Sequence, residues 1–153
     1  NLYSRFPYSE QDAARITYKL LSAVNYLHTR GIIHGAISLE TVVFANTSRT
    51  SEVKIINFGL SRKYMGHERE NLDVADSTIY SASPESFRGV YLRNGDIWSI
   101  GVIVYYLLSG SKPFGGKDMK NDIMSGNYDF ESNEWSAKAR TFIQHLLIVD
   151  SSS

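Results

Sequence analysis

The chain has 153 residues, 42% of them hydrophobic, and its 16 Lys and Arg balance 16 Asp and Glu to a formal net charge of zero. That length and apolar content suit one domain with its own core and exclude a disordered chain. Neutral balance argues against a coat for nucleic acid or anionic membrane, and the lack of cysteine excludes disulfides and thiolate metal sites.

The chain opens at Asn1 in what reads as mid-helix sequence, so its length is expected to be that of a piece of a longer protein. Nothing at the start reads as a basic-then-apolar leader. Ser9 with Asp12 resembles a capping box, and Ala13, Ile16, Leu20, Val24 and Leu27 recur at steps of three and four. That spacing predicts a helix from about Ser9 to Arg30, stopped by Gly31. Ile32-Ile33, Val42-Val43-Phe44 and Val53 to Ile55 are short β-branched runs that predict strands. From Leu60 to Ala82 the sequence is polar and aperiodic, which predicts a long functional loop.

Asp96 to Leu108 is apolar almost all round and predicts a buried central helix, ended by Ser109-Gly110. Its apolar stretch, Ile97 to Leu108, is interrupted by Ser99 and Gly101 and is too short to span a bilayer. A short helix is expected near Lys117 to Met124. A last one, Ser136 to Val149, carries Ala139, Phe142, Ile143, Leu146 and Leu147 on one face. The fold class expected is mainly α (an α+β family), a helical bundle around a buried central helix with short β-hairpins on one edge.

Read in order and spacing, the motifs resemble the C-terminal lobe of a eukaryotic protein kinase. His34-Gly35-Ala36-Ile37-Ser38-Leu39-Glu40-Thr41 stands where that family has its catalytic loop. Asn57-Phe58-Gly59, sixteen residues after Thr41, stands at the Asp-Phe-Gly position, and Ser83-Pro84-Glu85 at Ala-Pro-Glu. Asp96-Ile97-Trp98-Ser99-Ile100-Gly101 matches the family's buried central helix. Tyr128-Asp129-Phe130, Trp135 and His145-Leu146-Leu147 give it the flavour of calcium/calmodulin-dependent and calcium-dependent Ser/Thr kinases.

The departures fall on the chemistry. Phosphoryl transfer is positioning plus electrostatic stabilisation, so it needs given charges at given places. The resemblance puts Ala36 where the family has its catalytic Asp, a general base of a kind typically worth about 10²–10⁴ in rate. Ser38 replaces the phosphate-neutralising Lys, Thr41 the metal-binding Asn, Asn57 the magnesium-bridging Asp, and Gly35 the Arg that greets an activation-loop phosphate. By contrast His34, Phe58, Gly59, Pro84, Glu85, Asp96, Trp98 and Gly101 stand at family positions that hold the scaffold. The resemblance therefore implies a pseudokinase: no catalytic residues, no metal site, and a role in protein interaction or regulation. The family's β-rich lobe with its glycine-rich loop and strand Lys is absent from the 153 residues, so the whole chain is read as one C-terminal lobe. ATP and magnesium are expected only if the missing N-terminal lobe supplies the site. The Arg that pairs with the Glu of Ala-Pro-Glu is also missing, so Glu85 is expected to lack its partner.

Blander readings compete at several positions. His34 and Asp96 read as core groups, His28 and His145 as helix-face residues, His67 as a solvated loop residue and Tyr105-Tyr106 as core. Arg62-Lys63 and Arg69, near Glu68 and Glu70, read as a solvated loop. Ser77 and Thr78 lie where kinases are often phosphorylated, but Gly35 removes the usual docking partner. Ser81 stands where an aromatic docking residue is usual. The expected partners are proteins, a kinase or regulatory protein, with no nucleic acid and no membrane insertion, in a cytoplasmic setting. The surface expected to bind them is the helix near Lys117 to Met124 with Gly115-Gly116, together with the loop from Leu60 to Ala82. The alternative is a residual or atypical Ser/Thr kinase in which Asp73 or Asp76 replaces the missing carboxylates. The face toward a missing lobe is expected to expose Leu39, Val43 and Phe58.

Overall fold

A computed structural model describes residues 2–48, 50–64, 76–130 and 135–149. After a 3-10 turn at Leu2–Arg5, helix α1 spans Glu10–Thr29. Ser9 caps it: its Oγ accepts the Asp12 amide at 3.1 Å and donates to the Asp12 carboxylate at 3.0 Å. Ala13, Ile16, Leu20 and Val24 form its buried stripe. Gly31, at φ +69°, turns the chain away from the helix.

Among the described residues four short strands follow, β1 (Ile32–Ile33), β2 (Val42–Phe44), β3 (Val53–Ile55) and β4 (Arg62–Lys63). β2 and β3 form an antiparallel hairpin with Val43 opposite Lys54. β1 pairs antiparallel with β4, Ile33 opposite Arg62. β4 lies inside the stretch expected to be a structureless loop. Its Arg62 guanidinium stands 5.1 Å from the centroid of the Tyr91 ring, while Arg93 stands 4.9 Å from that of Tyr64. These crossed cation–aromatic contacts pin the strand to the start of the central helix.

That helix, α2 (Arg93–Ser109), is buried at Asp96, from Trp98 to Tyr105 and at Leu107, and ends at Gly110, φ +76°. α1, α4 (Ala137–Leu146) and the Asp76–Ser81 turn pack against it, while α3 (Met119–Ser125) packs on the Pro84–Arg88 turn. Gly101 is where α4 comes closest: an added Cβ would stand 2.8 Å from Leu147 Cδ2 and 2.9 Å from Leu146 Cβ. Ser136 caps α4 and is itself held by Glu10, whose carboxylate accepts the Ser136 amide at 2.7 Å and hydroxyl at 2.8 Å. An aromatic cluster of Tyr105, Tyr128, Phe130 and Trp135 seals the far side of α2.

The helix-rich content with small antiparallel sheets agrees with the expected class. Two side-chain expectations need correction. Phe142 is 40% exposed, because α4 meets α2 through Ile143 and Leu147 and leaves Phe142 beside Tyr18 and Leu21 in an open groove. Leu39 is fully buried rather than displayed, because it belongs to the core beside Val42 and its amide is bound by the Tyr80 hydroxyl. Among the described residues no helix is long and apolar enough to cross a membrane.

Candidate functional site

The loop from His34 to Thr41 leaves β1 and is hung from α2 by one carboxylate. Asp96, 1% exposed, accepts the His34 amide at 2.9 Å on Oδ2 and the Gly35 amide at 2.9 Å on Oδ1. Its Oδ2 also meets His28 Nε2 of α1 at 2.8 Å. A buried charge survives only with such partners. His28 is therefore part of the site's support and more than a helix-face residue.

His34 is fully buried, with Nε2 at 3.2 Å from the Ile56 carbonyl and Nδ1 at 3.3 Å from the Ala36 amide. That pattern suits a neutral ring in which Nε2 carries the proton and Nδ1 accepts. Burial lowers its pKa from 6.5, against the opposing pull of Asp96. The Phe58 ring meets it edge-on at 4.8 Å.

Gly35, Ala36, Ser38 and Thr41, four of the positions singled out from the sequence, lie on this loop. Ala36 is buried and carries no polar side-chain atom. Ser38 and Thr41, also buried, turn toward one another: Thr41 Oγ1 accepts the Ser38 amide at 2.9 Å and lies 3.1 Å from the Ala36 carbonyl. The Thr41 hydroxyl thus closes the loop internally. Gly35 has φ +74°, and a Cβ there would stand 3.3 Å from the Leu60 carbonyl oxygen. Any side chain at that position meets backbone strain.

Asn57 is the non-glycine residue with positive φ, 65°, among those described, and its exposed side chain makes no capping bond to the turn that follows it. Asn tolerates that conformation better than most residues. Ala36, Ser38, Thr41 and Asn57 offer at most neutral oxygens, a poor donor set for a hard divalent cation. Among the described residues no group of three His, Cys, Asp or Glu could hold a metal. Asp73 lies outside the described residues, as do His67, Glu68, Arg69 and Glu70.

Glu85 is half-buried and forms no ion pair with any described residue. Pro84 opens the Pro84–Arg88 turn, and Trp98 stacks on Phe114 at 5.7 Å between centroids. Gly115 and Gly116 stand in open space at the approach to α3. His145 bonds within its own helix, to the Thr141 carbonyl at 2.7 Å, and Tyr105 donates to the Asp129 carbonyl at 2.7 Å.

One grouping has no forewarning in the sequence. Tyr3 donates to Glu40 Oε1 at 2.7 Å and Tyr80 donates to Glu40 Oε2 at 2.6 Å. Burial works against Glu40, but the hydroxyls of Tyr80 and Tyr3 hold its carboxyl below the usual 4.5. Neither tyrosine lies near Glu40 in the chain, so no local pattern announces the contact.

A bundle about one buried helix, with a loop suspended from that helix by an aspartate, defines a kinase-like domain. The description Protein kinase domain matches residues 1–153. CDPK-related kinase 5 of Arabidopsis thaliana is 36% identical over 149 residues, 94% of this chain and 24% of that protein. Calcium-dependent protein kinase 5 of Plasmodium berghei (strain Anka) is 36% identical over 84% of the chain and 23% of its own length. A rice (Oryza sativa subsp. japonica) calcium/calmodulin-dependent serine/threonine-protein kinase 1 is likewise 36% identical, over 94% of the chain and 24% of that protein. The chain belongs to the eukaryotic protein kinase family and spans about a quarter of the length of these relatives.

Proposed function

We propose that the chain is a catalytically impaired kinase-like lobe that serves as a protein-interaction or regulatory module. One observation carries the reading: Ala36 offers no base, and the buried Ser38 and Thr41 are bonded within the loop. The groups that catalysis needs act as a unit, so loss of several leaves little for the remainder to do. The scaffold groups that hang the loop, Asp96 and His34 above all, remain in place. A fold kept for binding needs the second set and not the first.

In this reading the residues are the C-terminal lobe of a larger domain, and the exposed row of Ile56, Phe58 and Leu60 is the face toward its other lobe. Protein partners meet α3 along the open approach at Gly115-Gly116. The cysteine-free composition suits a cytoplasmic setting. ATP and magnesium enter only if carboxylates come from elsewhere, since Ala36, Ser38, Thr41 and Asn57 do not fit a magnesium ion.

The competing reading is an atypical Ser/Thr kinase. It draws on Asn57, an exposed residue with a left-handed backbone whose side chain makes no capping bond. Phosphate transfer from ATP–magnesium to a basic protein substrate separates the two, using this chain and any longer protein that carries it. We expect no transfer and no rise in melting temperature with nucleotide. Magnesium-dependent transfer that disappears in Asn57→Ala overturns the proposal.

A further inference from the structure

Three segments far apart in sequence meet at one carboxylate. Tyr3, 37 residues before Glu40, comes from the Leu2–Arg5 turn, and Tyr80, 40 residues after it, from the Asp76–Ser81 turn. Each phenol takes a different oxygen of Glu40, so both bonds form at once. Hydrogen bonds from a hydroxyl to a carboxylate are short and about twice as strong as neutral ones. The Tyr80 oxygen also accepts the Leu39 amide at 3.0 Å, which satisfies it in both roles. Lys112 caps the outer face of the Tyr80 ring, its Nζ 3.5 Å from the centroid. Ser81 Oγ adds a bond to the Ile37 carbonyl at 3.0 Å.

We propose that Glu40 is a latch that holds the Asp76–Ser81 turn closed over the Ile37–Thr41 stretch of the loop, with Tyr80 as its bolt. Tyr80 is 5% exposed, whereas Glu40 lies on the exposed rim. The control point is therefore reachable from solvent while the bolt is not. Burial and the Glu40 charge raise both phenols, Tyr3 to about 12, so both remain protonated donors across the neutral range. When Glu40 lets go, Tyr80 loses its charged acceptor, the Leu39 amide loses its cover, and the turn moves away from the loop. The latch stands apart from the proposed function and operates whether or not the chain transfers phosphoryl groups.

Amide hydrogen exchange on the 153-residue chain tests it with Glu40→Gln and Tyr80→Phe. Tyr80→Phe keeps the ring in the core and removes only the hydroxyl. We expect exchange at amides 78–82 and at Leu39 to quicken about tenfold or more in both variants, with the amides of α2 unchanged, the signature of local opening. Unchanged exchange at 78–82 overturns the latch. Equal quickening across α2 does the same, since it marks a general loss of stability.

Discussion

Asp96 accepts hydrogen bonds from Gly35, His34 and His28, groups 61, 62 and 68 residues away. Its carboxylate ties α1, the loop and α2 together. Replacing it with Asn removes the charge and forces an amide to donate where only donors point. Breaking a buried ionic arrangement of this sort costs about 3–5 kcal/mol, so Asp96→Asn should lower the unfolding free energy read from urea titration by an amount of that order. His34 adds a pH dependence. Its folded pKa lies below 6.5 because burial outweighs the pull of Asp96, so the unfolded chain takes up the proton first as pH falls. Its contribution to stability is therefore complete above pH 6.5 and is lost as pH drops from there through the folded value. Urea unfolding at pH 7.5 and 5.5 should show this loss, and His34→Phe should flatten it. The resemblance to a kinase loop singled out Asp96 and His34 from sequence alone, since their neighbours carry the motif. His28 was read as a helix-face residue because a histidine on a helix does not show its partner until the helix is placed.

The contact between α2 and α4 passes through Gly101. Any side chain there meets Leu146 and Leu147 at under 3 Å, and α4 cannot yield without dragging Ile143 out of the core. Overpacking of this kind typically costs about 1–3 kcal/mol. Gly101→Ala should lower the melting temperature, and Leu147→Ala should restore part of the loss by clearing space. The helices themselves were legible from local pattern: Ser9 before a stripe of three-and-four spacing, and an apolar run ended by Gly110. Bounds moved by a few residues, as with α3, read near Lys117 to Met124 and found at Met119–Ser125. Strand β4 was not legible. Arg62 and Lys63 are polar and carry no alternation, and they become a strand only because β1 offers an unpaired edge beside them.

On the scale of the molecule, Ile56, Phe58 and Leu60 form an exposed apolar row, 43%, 47% and 42% accessible. They follow β3 and turn about the left-handed Asn57, and every residue from 56 to 60 is exposed. Exposed apolar groups away from the core contribute little to folding. The double variant Ile56→Ser, Leu60→Ser should stay within about 0.5 kcal/mol of the parent in urea unfolding, while binding less of an apolar dye such as ANS. A large loss of stability would mean that the row serves this chain's own core.

The sequence by itself determined the helices, the burial of α2 and the family. Each of those rests on neighbours within a turn or a motif, so local order suffices. Tertiary structure alone decided that Leu39 goes inward, that Phe142 faces a groove, that His28 joins Asp96, and that Glu40 gathers Tyr3 and Tyr80. These depend on which side chains meet across 37 or more residues of chain, and that distance is closed only by packing the bundle.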